Sequence, residues 1–238
     1  MQIASRAEAQ FPRDAEFPEL RGRILVAGGN AVEGNAELAA ALRLDPSRVT
    51  TLSLLAGSAA SEGRWREAAR YLGRIPEGRR NAEILRLAWQ TAMKLEDYDL
   101  ALALSHDLEK KETTDTRLLY SVRTLVAARE SREAQDLAST DLKTVTAADV
   151  RASLYVLRAL AARQTRGDAE AILEDLRTAL RENPDDSEAL VAIADALKDA
   201  HEYHKALTYL KRAQELSPDD ASVRARISDM SRLAGSQD

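Results

Sequence analysis

Apolar positions along this chain of 238 residues recur in blocks with helical spacing, separated by short polar punctuation. The clearest block runs from Ser187 to Asp220. Leu190, Ile193, Ala194 and Leu197 fall at i, i+3, i+4 and i+7, which is one face of a helix. The polar turn Asp199-Ala200-His201-Glu202 follows, and Tyr203, Ala206, Leu207, Leu210, Ala213 and Leu216 line a second helix. Pro218 stops that helix, and Asp219 or Asp220 caps the next one. Helices joined by so short a turn pack antiparallel, with the small Ala194, Ala206 and Ala213 where the axes come closest.

The punctuation itself repeats. Asn183-Pro184-Asp185-Asp186 returns as Ser217-Pro218-Asp219-Asp220 after 34 residues, a period that signals stacked helix pairs. Looser copies precede it. Leu20, Ile24 and Leu25 with Leu38, Ala41 and Leu42 form a first pair. Leu52, Leu55, Ala56 and Ala59 pair with Trp65, Ala68, Ala69 and Leu72 across Gly63-Arg64. Leu85, Ala88, Trp89 and Ala92 pair with Tyr98, Ala101, Leu102 and Leu108, and a degenerate unit runs from Leu118 to Leu137. A fifth has Leu154, Leu157, Leu160 and Ala161 before the turn at Gly167-Asp168, with Thr146 and Asp149 as a capping-box variant at its start.

Residues 187–220 resemble the tetratricopeptide repeat family, whose pattern sets large apolar residues at repeat positions 4, 7, 11 and 24, small ones at 8, 20 and 27, and proline at 32. Counting from Ser187, those places hold Leu190, Ile193, Leu197 and Leu210; Ala194, Ala206 and Ala213; and Pro218. The expected fold is all-α, a right-handed α-solenoid of about six antiparallel helix pairs. Approximate units are 16–47, 48–79, 81–113, 115–142, 146–185 and 187–220, with a capping helix and tail over 221–238. Residues 1–15 are weakly patterned and expected to be mobile.

Composition agrees with this class. Ala, Leu, Glu and Arg favour helix, and the β-branched and aromatic clusters of strands are missing. The formal charge of −5 is spread without a basic block, which disfavours nucleic acid as a partner. There is no cysteine, hence no thiolate metal site or cysteine nucleophile. No apolar run could span a bilayer. The chain as given reads as cytoplasmic, or as periplasmic if an N-terminal signal has been removed.

Chemical motifs dissolve on inspection. Gly28-Gly29-Asn30, with Gly34 beyond, lacks the spacing of a phosphate loop and reads as an interhelical turn. His201 and His204 lack enough partners for zinc, and His106 reads as surface. The carboxylates of Asp185, Asp186, Asp219 and Asp220 read as helix caps, and Trp65 and Trp89 as core. No catalytic residue, metal or cofactor is expected.

In the tetratricopeptide family the first helix of each repeat lines the concave face. The resemblance maps ligand-facing positions onto Ser53 and Gly57, Arg86 and Gln90, Tyr120 and Thr124, Arg158 and Ala162, and Val191 and Asp195. Arg86, Tyr120 and Arg158 would form a row suited to carboxylates and an extended peptide. The carboxylate clamp of some family members is missing, since Ser53, Gly57 and Leu87 stand at its places. The resemblance thus implies a non-enzymatic bacterial scaffold or adaptor holding a protein or peptide partner in its groove. The alternative is an assembly or self-association module, the repeat region of a larger protein, such as an exported or envelope-associated one.

Overall fold

The computed structural model describes residues 14–112 and 114–235. The expectations for residues 1–13 lie outside the described residues. Among these there are thirteen α-helices, two short 3₁₀ segments and no strand. The chain divides into two compact units, Met1–Glu112 and Thr113–Asp238, a division that the sequence pattern does not announce.

The first unit holds α1 (Glu16–Ala27), α2 (Ala31–Leu44), α3 (Val49–Ser61), α4 (Trp65–Gly73), α5 (Ala82–Lys94) and α6 (Tyr98–Lys111). The second holds α7 (Leu118–Ala127), α8 (Ser131–Asp141), α9 (Ala148–Gln164), α10 (Ala169–Glu182), α11 (Ser187–Asp199), α12 (Tyr203–Leu216) and α13 (Ala221–Ala234). Each unit stacks three helix pairs, and α13 closes the second by packing on α12.

One turn geometry serves all six pairs. Each turn contains a single residue in the left-handed region: Gly29, Gly63, Glu96, Arg129, Arg166 and His201. The amide of the following residue then donates back to a carbonyl in the last helical turn, as in Arg64 to Ala59 at 2.8 Å and Glu202 to Leu197 at 2.8 Å. This closure satisfies carbonyls that the helix end would otherwise orphan. Several starts are capped from the side chain. Asp186 accepts from the Ala189 amide at 3.0 Å, and Asp220 from Ser222 and Val223 at 2.8 and 3.3 Å. The capping box at Thr146 does not form. Ala147 occupies the N-cap of α9, and the Thr146 amide donates to Asp115 instead.

Leu38, Leu52, Ile75, Leu85 and Leu108 are fully buried in the first unit, and Leu154, Leu176, Ile193, Leu210 and Met230 in the second. Ala194, Ala206 and Ala213 are completely covered. Trp65 and Trp89 are only half-buried. The first pair departs from the expected face. Leu20 and Ile24 are 44% and 49% exposed, and α1 turns Ala15, Pro18, Glu19 and Gly22 inward. The cause is a glycine contact: a Cβ on Gly22 would lie 2.8 Å from the Gly34 carbonyl oxygen. The buried Glu19 carboxylate accepts from Arg48 Nε at 2.6 Å and from the Thr51 hydroxyl, tying α1 to the start of α3.

Candidate functional site

The left-handed turn residue is a ruler for the first helix of every pair. In the most regular unit Val191 and Asp195 lie ten and six residues before His201. The same count from Gly63 gives Ser53 and Gly57, and from Glu96 it gives Arg86 and Gln90. From Arg129 it gives Leu119 and Arg123, and from Arg166 it gives Val156 and Leu160.

In the first unit α3 and α5 lie side by side. Ser53 is half-buried and its hydroxyl donates to the Thr50 carbonyl at 2.9 Å. Gly57 faces open space, and Gln90 is exposed. Arg86 is exposed and its guanidinium lies 3.4 Å from the Glu112 carboxylate. Between the two helices is a shallow depression of about 400 Å³, bordered by Val49, Ser53, Leu54, Glu83, Ile84 and Leu87. Its mixed lining of apolar and polar side chains offers both burial and hydrogen bonding to a guest chain.

In the second unit α7, α9 and α11 adjoin in the same manner. Ion pairs step from one first helix to another. Both outer nitrogens of Arg123 on α7 meet the Glu188 carboxylate on α11, at 3.1 and 2.7 Å. Arg163 on α9 meets Asp199 on α11 at 2.6 Å. On α11, Asp195 accepts from Arg226 of α13 at 2.7 and 2.8 Å, and Lys198 donates to Asp229 of α13 at 2.6 Å. The Lys198 pKa is raised chiefly by its hydrogen bond to Asp229, whose own pKa is lowered first by Lys198 and then by Arg232. Half-buried Tyr120, Leu160 and Val191 sit on these helices, giving the row an apolar component.

Two of the expected row residues turn elsewhere. Thr124 is buried, and its hydroxyl donates to the Tyr120 carbonyl at 2.8 Å. Arg158 faces the second helices: it forks onto Asp175 of α10 at 2.8 and 2.6 Å and reaches Ser139 of α8 at 3.2 Å. The Asp175 hydrogen bond raises the Arg158 pKa against the opposing effect of burial. Its guanidinium also lies 5.2 Å from the Tyr155 ring centroid, a cation–π contact. The displacement has a local cause. Four residues separate α9 from α10, where three separate α11 from α12, which accounts for one of the two places by which Arg158 and Ala162 miss Val156 and Leu160. Arg123, which the sequence pattern did not single out, stands on the row in place of Thr124; on α9 the row positions are fully buried Val156 and half-buried Leu160, with Arg163 a turn beyond.

The motifs set aside on sequence grounds have structural occupations. Gly28 and Gly29 form the α1–α2 turn and Gly34 packs against α1. His201 is the left-handed residue of its turn, with Nδ1 2.7 Å from the Tyr203 hydroxyl. Among the described residues no three His, Cys, Asp or Glu side chains are grouped to hold a metal ion. Nor is any described helix long and apolar enough to cross a membrane.

Residues 164–227, from the end of α9 into α13, match the tetratricopeptide repeat family model. No curated protein matches the chain in sequence. A solved tetratricopeptide repeat protein from Parabacteroides merdae ATCC 43184 is similar with a TM-score of 0.60 at 14% identity, over 91% of this chain and 98% of that one. The APC/C hetero-tetramer Cut9–Hcn1 gives a TM-score of 0.58 at 16% identity, with 96% of this chain covering 45% of its counterpart. MamA from Desulfovibrio magneticus RS-1 gives 0.53 at 16% identity, over 73% of this chain and 97% of that one. This chain therefore spans less than half the length of the Cut9–Hcn1 chain that it matches. At such identities the likeness is one of fold.

Proposed function

We propose that this chain, a tetratricopeptide repeat protein in sequence over residues 164–227 and in the fold of its helix pairs, is a non-catalytic scaffold that binds a protein or peptide. The binding face is the row of first helices within each unit. One observation carries the reading: in the second unit these helices hold their charged side chains in bridges over the outside of the stack, from Arg123 to Glu188 and from Asp195 to Arg226. Such partly exposed pairs contribute little to stability, about 0–1 kcal/mol each. They are available to exchange a neighbour's carboxylate or guanidinium for a guest's. The residues proposed to meet the partner are Ser53, Arg86 and Gln90 in the first unit, and Tyr120, Arg123, Arg163 and Asp195 in the second.

The test is capture of partners from native extract by the intact chain, set beside a variant carrying Arg86→Ala, Gln90→Ala and Arg123→Ala. None of these side chains lies in the packed core. Helical content by circular dichroism is expected to stay the same while captured protein falls. Undiminished capture by the triple variant overturns the row as the binding face.

A further inference from the structure

Of the five large apolar side chains that are exposed among the described residues, four belong to the first helix pair: Leu20, Ile24, Val32 and Leu44. On α1, half-buried Phe17 joins Leu20, Ile24 and Ala27 in a stripe spaced i, i+3, i+7 and i+10. At 100° per residue this stripe lies opposite the side that Ala15, Pro18, Gly22 and Glu19 turn to the core. The helix is apolar on two sides, where an ordinary surface helix has one.

Other repeats show what such a face is for. Phe17 and Ile24 lie twelve and five residues before the turn residue Gly29. At the place of Phe17 four of the five later repeats have a buried residue, Thr51, Ile84, Leu154 or Ala189, and the fourth pair has half-buried Arg117. At the place of Ile24, Thr91, Thr124, Ala161 and Ala196 are buried too, and Ser58 is half-buried. In α1 the same face is open. On α13, by contrast, the outer side is polar, with exposed Arg224, Ser228 and Arg232.

We infer that α1 pairs antiparallel with α1 of a second copy of this chain, stripe on stripe, about a two-fold axis near Leu20. The flanking charges favour this occupant. Exposed Glu16 and Arg23 are seven residues apart, two helical turns, and so stand on the same side of the stripe. An antiparallel two-fold brings equal flanks together in reverse order. Glu16 of each protomer then meets Arg23 of the other, forming two identical ion pairs across a self-complementary interface. A parallel arrangement would set the flanks apart. With one helix per protomer the interface falls at the small end of stable contacts.

Sedimentation equilibrium on the full chain tests this. Wild type is expected to shift from one to two chain masses as concentration rises through the micromolar range. Leu20→Glu with Ile24→Glu is expected to stay monomeric with unchanged helical content, since both side chains are already solvent-facing. Arg23→Glu alone is expected to weaken the dimer about tenfold by opposing like charges, and Glu16→Arg with Arg23→Glu to restore it. A wild-type monomer at every concentration overturns the inference, whether residues 1–13 or a different protein takes the stripe instead. So does a dimer indifferent to the charge swap. Neither result bears on the row of first helices, whose test is read from partner capture.

Discussion

Gly34 and Gly57 sit inside helices of the same unit, and Gly→Ala should move stability in opposite directions at the two places. A Cβ on Gly34 would lie 2.6 Å from Val26 Cγ2, 2.9 Å from the Gly22 carbonyl oxygen and 2.9 Å from the Val26 amide nitrogen. These are roughly 0.5–0.8 Å short of ordinary van der Waals contact, and two of the three atoms are backbone. No rotamer change relieves them; α1 as a whole must retreat, loosening the packing around Leu38, which is 1% exposed. Overpacking of this kind costs about 1–3 kcal/mol, against a gain of up to about 1 kcal/mol in helix propensity. Gly34→Ala should therefore be destabilising by about 1 kcal/mol. At Gly57 an added Cβ meets nothing within 4 Å, so Gly57→Ala keeps only the propensity gain. The propensity terms largely cancel between the variants, leaving a difference of about 1–3 kcal/mol that measures the α1–α2 contact itself. Urea unfolding followed by helical circular dichroism reads it as a lower midpoint for Gly34→Ala and a higher one for Gly57→Ala. Equal midpoints would refute the close approach of the two helices.

Non-glycine residues in the left-handed region carry a conformational cost of about 1–2 kcal/mol, part of which glycine returns as chain entropy. Arg129→Gly and Arg166→Gly should each raise the unfolding midpoint by about 0.5–1 kcal/mol equivalent, and a fall at either would show the turn to be misassigned. Arg158→Ala leaves the half-buried Asp175 carboxylate without its fork and should cost about 1–3 kcal/mol. Arg158→Lys should recover only part of that, because an ammonium cannot reproduce two parallel hydrogen bonds; full recovery in urea melts would argue against the bidentate pair. Hydrogen bonds from the Ser222 side chain, and then from the Ser222 and Val223 amides, lower the Asp220 pKa. Asp45 and Glu174 are lowered likewise, first by the Ser47 and Arg181 side chains. A folded pKa below the unfolded value of about 4 gives stability that is present above that value and lost as pH falls through the folded pKa. Stability should thus hold from neutral pH to about pH 5 and decline below about pH 4. Asp220→Asn, which can still cap α13, should make the decline shallower, and an unchanged acid slope would exclude Asp220 as a contributor.

Much of the fold was legible because helix period, proline stops and acidic caps all act within a few residues of chain. Leu190, Ile193 and Leu197 announce their helix, and Asp186 and Asp220 their caps, by spacing alone. The first pair misled for a physical reason. Hydrophobicity marks which residues gain from burial, but not which of two apolar faces the neighbouring helix takes. On α1 that choice falls to Gly22 and Gly34, which have no side chain to register in a hydrophobic pattern. Thr124 and Arg158 failed differently. Their helices were recognised, but position along a helix decides function, and one residue turns a side chain by 100°.

That sensitivity makes the turn the true origin of the site's coordinates. Where the left-handed residue is Gly63, the sequence displays its own ruler, and Ser53 and Gly57 follow. In the fifth pair the visible glycine is Gly167, one place beyond the left-handed Arg166, and the turn is one residue longer than that between α11 and α12. Counting from Gly167 gives Leu157 and Ala161, one place off, and the expected Arg158 is two places off; it is chemically apt for a groove yet structurally committed to Asp175. Counting from Arg166 leads instead to Leu160, with Arg163 a turn further on, its guanidinium bridging to α11. The same ruler applied to α1 sets Ile24 at the place of buried Thr91, Thr124, Ala161 and Ala196, and Leu20 at that of half-buried Leu54, Leu87 and Tyr120. Thr124 and Arg158 miss by register, whereas the first pair's open stripe follows from the Gly22–Gly34 contact. In a helix stack, what a side chain meets is set by its distance from the turn, and four of the six turns here are made by residues that do not look like turns.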